Sequence, residues 1–344
     1  TLRSFEASVE QMKSFVGVEP RIVAHDMHPD YFSTRYALSL NGEIRTIAVQ
    51  HHHAHVAAAM AEHGLSGPVI GVAYDGTGYG TDGTSWGGEI LLAGFTGFER
   101  FATFRPIPLA GGDQAIRQVW RIALALLDDA FEGRPPLHAI PLFREMDRHA
   151  IDAVRRMIER NFNAPLARGV GRYFDALGAI GLGMADARYE GEVALAWNMA
   201  ADPVEAGRYE VVVRNGVAPW EIDLRPMVRA AVDDPVAGVS PGIVSARFHN
   251  TIAESTVEVV SAAVAQHGSM PIVLTGGCFQ NAMLAERVIG GLSSSQIFLN
   301  HLIPPGDGGL ALGQAVIADA MARGNAAVEA ASAEATHKEI SACV

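Results

Sequence analysis

Val69-Ile70-Gly71-Val72-Ala73-Tyr74-Asp75-Gly76-Thr77-Gly78-Tyr79-Gly80 decides the fold. The run from Pro68 to Tyr74 is almost continuously apolar, without polar alternation. Such a segment reads as a strand buried on both faces. It runs into a glycine-rich turn, where bare backbone can approach a phosphate and present N–H donors. Asp75, at the strand end, is a candidate ligand for a metal or its water.

Working outward, Glu89–Leu92 and Arg100–Phe104 complete an antiparallel meander with this strand. The C-terminal part alternates: strand Ile272–Thr275, helix Asn281–Ile289, strand Gln296–Leu299, helix Leu310–Met321. Upstream, Leu2, Phe5, Val9, Met12 and Phe15 fall at helical spacing. Strands at Arg21–Ala24 and Thr46–Gln50 then flank a helix at Tyr31–Ser39, and an alanine-rich helix covers His51–His63. The middle, residues 112–205, reads as helical, followed by a hairpin at Tyr209–Val213 and Glu221–Asp223 and helix from Val244 to His267. Strand–helix alternation with glycine turns at strand ends predicts an α/β fold with a ligand crevice there.

Composition agrees. The chain has 344 residues, 49% hydrophobic and 19% charged, which suits one large or two medium domains and excludes a disordered or disulfide-stapled chain. A net charge of −12 argues against a nucleic-acid scaffold. Two cysteines, Cys278 and Cys343, make no disulfide framework. With no signal peptide and no membrane-length apolar run, the expected location is the cytoplasm.

Four segments carry chemistry. In Val49-Gln50-His51-His52-His53-Ala54-His55, His51 and His55 stand one helical turn apart and can share a metal, while His52 and His53 point elsewhere. Asp75-Gly76-Thr77-Gly78 is the second. The third, Thr275-Gly276-Gly277-Cys278-Phe279-Gln280-Asn281, is a strand, a glycine pair and a helix start, a ready anion site with Asn281 facing the crevice. Cys278 there is expected to be a buried small apolar residue. The fourth is Pro304-Pro305-Gly306-Asp307, where Asp307 reads either as a helix N-cap or as a ligand. Two histidines and two aspartates would suit iron, zinc or manganese. His25-Asp26-Met27-His28-Pro29-Asp30, Gly171-Arg172-Tyr173-Phe174-Asp175 and Tyr189-Glu190-Gly191-Glu192 are weaker and read singly as structural. No Walker A or C-x-x-C is present, and the acceptor nucleophile is expected from outside the chain.

Together these motifs, with Ser33-Thr34-Arg35-Tyr36-Ala37, resemble the C-terminal TsaD-like domain of the hydrogenase maturation carbamoyltransferases, the HypF family. The resemblance implies two ribonuclease-H-like lobes of the actin/hexokinase superfamily, with a nucleotide in the cleft. On this sequence, residues 1–66 would be part of the first lobe, lacking its opening strands. Residues 67–322 would be the second lobe with a helical insertion at about 106–206, and residues 323–344 a disordered tail. It implies metal ligation by His51, His55, Asp75 and Asp307, and nucleotide contacts from Gly76, Thr77, Gly78, Asp175, Gly191, Glu192, Gly276, Gly277 and Asn281. The implied ligands are a divalent metal, magnesium with the nucleotide, and ATP, AMP or carbamoyl-adenylate. The implied reaction passes the carbamoyl group of carbamoyl-adenylate to the C-terminal cysteine of HypE, for the cyanide ligand of nickel–iron hydrogenase. Carbamoyl-adenylate synthesis from carbamoyl phosphate and ATP would fall to a YrdC-like domain. Where the family carries serines before Gly171-Arg172, this chain has Gly169 and Val170. Rival expectations are an O-carbamoyltransferase with a hydroxyl acceptor and a non-catalytic nucleotide-binding module that docks HypE.

Overall fold

The structure, a computed structural model, describes residues 2–40, 42, 44–292 and 296–324. The first segment holds α1 (Leu2–Val16), β1 (Ile22–Asp26), α2 (Phe32–Ser39), β2 (Arg45–Val49) and α3 (His51–Glu62). A meander follows: β3 (Val69–Tyr79), β4 (Ser85–Gly94) and β5 (Gly97–Phe104). Next come β6 (Ile107–Pro108), α4 (Asp113–Arg117), α5 (Trp120–Ala130), α6 (Pro141–Arg144), α7 (Arg148–Glu159), β7 (Leu166–Ala167), α8 (Val170–Leu182) and α9 (Glu192–Ala200). The chain continues through β8 (Val212–Arg214), β9 (Trp220–Asp223), α10 (Arg225–Val236), α11 (Pro241–His267), β10 (Ile272–Thr275), α12 (Ala282–Gly291) and β11 (Ile297–Leu299). Residues 310–324 are helical and are called α13.

The large sheet runs β11-β10-β3-β4-β5-β9-β8. β11, β10 and β3 are parallel, and the meander is antiparallel as expected. Side chains alternate across β3. Ile70, Val72 and Tyr74 join the main core beneath α5, α8 and α11, while Val69 and Ala73 face Val56, Ala59 and Met60 of α3. On its other side α3 meets the small parallel β1–β2 sheet and α13, through Ile47, Val49, Ala54, Ala57 and Ile317. Ten of the twelve α3 residues are buried. A helix packed on two faces cannot carry bulk on both, which is the physical reason for its alanines.

Three expectations need correction. β3 does not end at Tyr74: residues 75–79 continue the strand, with the register shifting between Tyr74 and Gly78, so the glycine turn is a bulge. The helical middle is interrupted by the short strand β7, which pairs with β6 and with β4. The hairpin forms between Val212–Arg214 and Trp220–Asp223, starting later than expected. The tail expected at 323–344 lies outside the described residues from position 325 onward. Among the described residues, no helix is long and apolar enough to cross a membrane.

Candidate metal centre and its cleft

The N-terminus of α3 and the carboxyl end of β3 meet. Gln50 caps α3, its side chain accepting from the His53 N–H at 2.8 Å. This fixes the first turn, and His51 and His55 project from one face of it. Asp75 comes from β3, and Asp307 from a single 3-10 turn, Asp307–Gly309. Gly306, not Asp307, is the cap position of that turn, so the N-cap reading of Asp307 is set aside. One ligand atom from each of His51, His55, Asp75 and Asp307 lies within 4.8 Å of all the others.

The donor atoms fit a cation. His51 Nε2, His55 Nε2 and Asp75 Oδ2 are buried and lack hydrogen-bond partners among the described residues. His55 Nε2 and Asp75 Oδ2 approach to 3.0 Å without hydrogen-bonding geometry. Asp307 Oδ1 stands 3.5 Å from His51 Nε2 and 3.7 Å from His55 Nε2. Ligands about 2.0–2.1 Å from a tetrahedral ion are roughly 3.4 Å from one another. Two neutral imidazoles and two carboxylates would also neutralise a divalent ion. Orphaned buried polar atoms are rare in folded proteins unless something else satisfies them.

Asp26, read from sequence only as part of a structural turn, sits at the end of β1. Its Oδ2 lies 2.9 Å from His51 Nδ1, and its Oδ1 accepts from the His28 N–H at 2.8 Å. With Nδ1–H donated to Asp26, the His51 Nε2 lone pair faces the other ligands. Burial alone would depress His51. The hydrogen bond to Asp26 and the nearby Asp307 carboxylate outweigh it and raise the imidazole to about 9. A cation at Nε2 would therefore release a proton. Burial opposes ionisation of Asp75, yet the His55 contact leads the effects that hold it well below the usual carboxylate range.

His52 and His53 do point elsewhere. His53 Nε2 is 2.6 Å from the Gly94 carbonyl, and His52 is fully buried with its ring 6.4 Å from Trp86. Gly78 makes this packing possible. A Cβ there would lie 2.5 Å from His52 Cε1 and 2.7 Å from His51 Cδ2. Gly78 thus packs on the imidazoles, and the Thr77 hydroxyl bonds Ser85 at 2.7 Å.

A cleft of about 540 Å³ opens from the cluster, sharing Asp75 and Asp307 with it. Of the residues that the resemblance puts near a nucleotide, Gly76, Asp175, Gly191, Gly277 and Asn281 line it. Cys278 lines it too, half-buried and packed against the main core, so it is less buried than expected. Glu192 turns away to pair with Arg188, leaving Glu190 on the wall. Gly276 supplies the preceding bend at φ +93°. Asn281 caps α12, accepting from the Leu284 N–H at 3.1 Å. Its amide Nδ2 lies 2.8 Å from Nε2 of the fully buried His249. Burial pushes the Asp175 carboxyl up, opposed by Arg172. The glycine at 169 also has a steric cause: a Cβ there would meet the Gly76 carbonyl oxygen at 2.1 Å. A cavity of about 760 Å³ beside α11 and α12, lined by Arg208, Asn250 and Arg287, shares no residue with the cluster or this cleft.

Fold and site define an α/β protein with a candidate imidazole–carboxylate cation centre at the mouth of a cleft. The family described as carbamoyltransferase, Kae1-like domain, second subdomain, matches residues 71–314, and the HypF Kae1-like domain matches residues 1–62. The chain belongs to the HypF carbamoyltransferase family. It is 38% identical over 339 residues to a carbamoyltransferase HypF homolog of Cupriavidus necator, spanning 92% of this chain and 82% of that one. Carbamoyltransferase HypF of Rhodobacter capsulatus is 39% identical over 89% of this chain, which spans 40% of that protein. The crystal structure of full-length HypF in the phosphate- and nucleotide-bound form matches at TM-score 0.86 and 37% identity, over 92% of this chain and 49% of that one. HypF of T. kodakarensis matches at TM-score 0.80 and 25% identity, over 93% of this chain and 43% of that one.

Proposed function

We propose that this chain performs the transfer half of a hydrogenase-maturation carbamoylation. The donor is carbamoyl-adenylate, and the acceptor is the C-terminal cysteine of HypE, whose product supplies a cyanide ligand of nickel–iron hydrogenase. The observation that carries the reading is the buried, unpartnered Nε2 of His51, Nε2 of His55 and Oδ2 of Asp75, grouped with Asp307 at a cleft that Asp75 and Asp307 line. Membership of the HypF family supports it.

In this reading His51, His55, Asp75 and Asp307 hold a divalent cation, and Asp26 fixes the tautomer of His51. Such a cation, iron, zinc or manganese, supplies Lewis acidity to an oxygen of the donor, with magnesium accompanying the nucleotide. Gly76, Asp175, Gly191, Gly277 and Asn281 cradle the nucleotide, with Thr77, Gly78, Glu192 and Gly276 shaping the backbone behind it. The acceptor sulfur bonds to the carbamoyl carbon as the bond from that carbon to the phosphate oxygen breaks. The electron pair leaves on AMP, and the thiol proton passes to water. Holding donor and thiol together accounts for much of the rate. Residues 1–66 then belong to one ribonuclease-H-like lobe, and residues 67–322 to a second with its insertion at 106–206. The work is done in the cytoplasm. Carbamoyl-adenylate arrives from a YrdC-like domain.

The test supplies carbamoyl-adenylate, generated by a separate YrdC-like domain, together with HypE, and follows S-carbamoylation by mass spectrometry. The His51→Ala/Asp307→Ala variant should lose on the order of 100-fold or more in rate, as removal of several kcal/mol of transition-state stabilisation requires. Transfer at the wild-type rate would overturn the reading.

A further inference from the structure

Arg172 has no role in the cation centre, and its chemistry is unspent. It lies in the first turn of α8 and is 3% exposed. Its Nε and Nη1 have no hydrogen-bond partner. Nη1 is 3.2 Å from Asp175 Oδ2, and Nη2 is 3.7 Å from Glu190 Oε1 at the exposed lip. The guanidinium lies against Gly76, where a Cβ would come within 2.6 Å of Nη2, so only glycine leaves it room. Gly76 is the neighbour of the cation ligand Asp75. Arg172 therefore stands between the cation centre and the Asp175–Gly191 end of the cleft.

Charge sharpens the point. Among the described residues that line the cleft, Arg172 is the single cationic side chain, facing Asp75, Asp175, Glu190 and Asp307. A buried guanidinium needs charge-paired, hydrogen-bonded partners, and its planar fork matches a phosphate two bonds at a time. Asp175 alone leaves that fork half used. We propose that Arg172 binds the phosphate of a nucleoside monophosphate, or of its carbamoyl ester, between the cation and the nucleoside. This rests on the nucleotide reading of the cleft.

Calorimetry with AMP and with adenosine separates phosphate recognition from scaffolding. The full chain is used, with zinc present and again after chelation. Wild type should prefer AMP over adenosine by at least tenfold. Arg172→Gln should lose that preference while its adenosine Kd stays within twofold of wild type, and Arg172→Lys should keep part of it. Equal weakening of both ligands would make Arg172 a scaffold residue and overturn the proposal. So would an AMP Kd within twofold of wild type in Arg172→Gln. If Arg172→Gln does not fold, Arg172→Lys decides the matter: it should weaken AMP several-fold and leave adenosine unchanged, and any other pattern refutes the proposal. Wild type that binds neither ligand refutes the nucleotide reading itself.

Discussion

Replacing Asp26 by Asn should damage metal affinity without touching a metal ligand. The residue is 5% exposed, and its carboxylate makes two hydrogen bonds, with His51 Nδ1 at 2.9 Å and from the His28 N–H at 2.8 Å. Asn is nearly isosteric, and its Oδ1 can still accept from the His28 N–H. Its Nδ2 then faces His51 and can only donate, so Nδ1 must become an acceptor. The imidazole proton moves to Nε2, the atom directed at His55, Asp75 and Asp307. To bind a cation the ring must give up that proton and leave Nδ1–H without its carboxylate. Changes at such outer partners cost about 10–100-fold in affinity, or about 1.4–2.8 kcal/mol. Zinc titration against a chromophoric chelator measures this, with circular dichroism to verify folding. An Asp26→Asn variant that is folded and binds zinc within twofold of wild type would refute the tautomer argument.

Two further outcomes follow from the packing. Gly78→Ala should cost roughly 1–3 kcal/mol by overpacking and weaken zinc binding as well, because its Cβ would overlap the buried His51 and His52 rings. Gly94→Ala, with nothing within 4 Å, is the control, and urea denaturation compares the two. The second concerns acid. Burial depresses His249 to about 4, against the opposing bond to the Ser245 carbonyl, whereas an unfolded histidine titrates near ~6.5. Between those values the unfolded chain binds the extra proton. Stability contributed by neutral His249 is thus full above about 6.5 and is lost as pH falls toward 4. His249→Asn should reduce the slope of stability against pH by about 1 kcal/mol per unit between pH 6 and 4.5. Unchanged slopes in urea titrations would contradict the assignment.

The candidate ligands are readable as a group because their signal is local. His51 and His55 declare themselves by helical spacing, and Asp75 and Asp307 by position at the ends of apolar or glycine-rich segments. What stayed hidden depends on register and packing. Asp26 reaches His51 because β1 pairs with β2 in parallel, with Asp26 opposite Val49, two residues before His51. Nothing in two five-residue strands announces that offset. Arg172 next to Asp175 reads like any exposed i,i+3 pair until α8 packs onto β3 and buries it. Gly78 looked like part of a phosphate turn because the sequence does not reveal that imidazole rings fill the space beside it. The resemblance to HypF supplied the lobes, nucleotide and acceptor, none of which composition or spacing could give.

The four candidate cation ligands are not equivalent, and the difference follows from where α3 sits. That helix is clamped between the large sheet on one face and the β1–β2 sheet and α13 on the other. His51 and His55 are each 1% exposed and cannot retreat, and the Asp75 side chain is 17% exposed on the bulged end of β3. Asp307 is 71% exposed on a single turn ahead of α13. Three ligands are therefore set by the core, as a preorganised site requires. The fourth stands at the rim of the cleft, where neighbouring side chains constrain it least. An oxygen atom arriving through the cleft would meet the cation on the Asp307 side. The same burial that makes α3 rich in alanine leaves its histidines rigid and confines adjustment of the centre to the side from which a donor would enter.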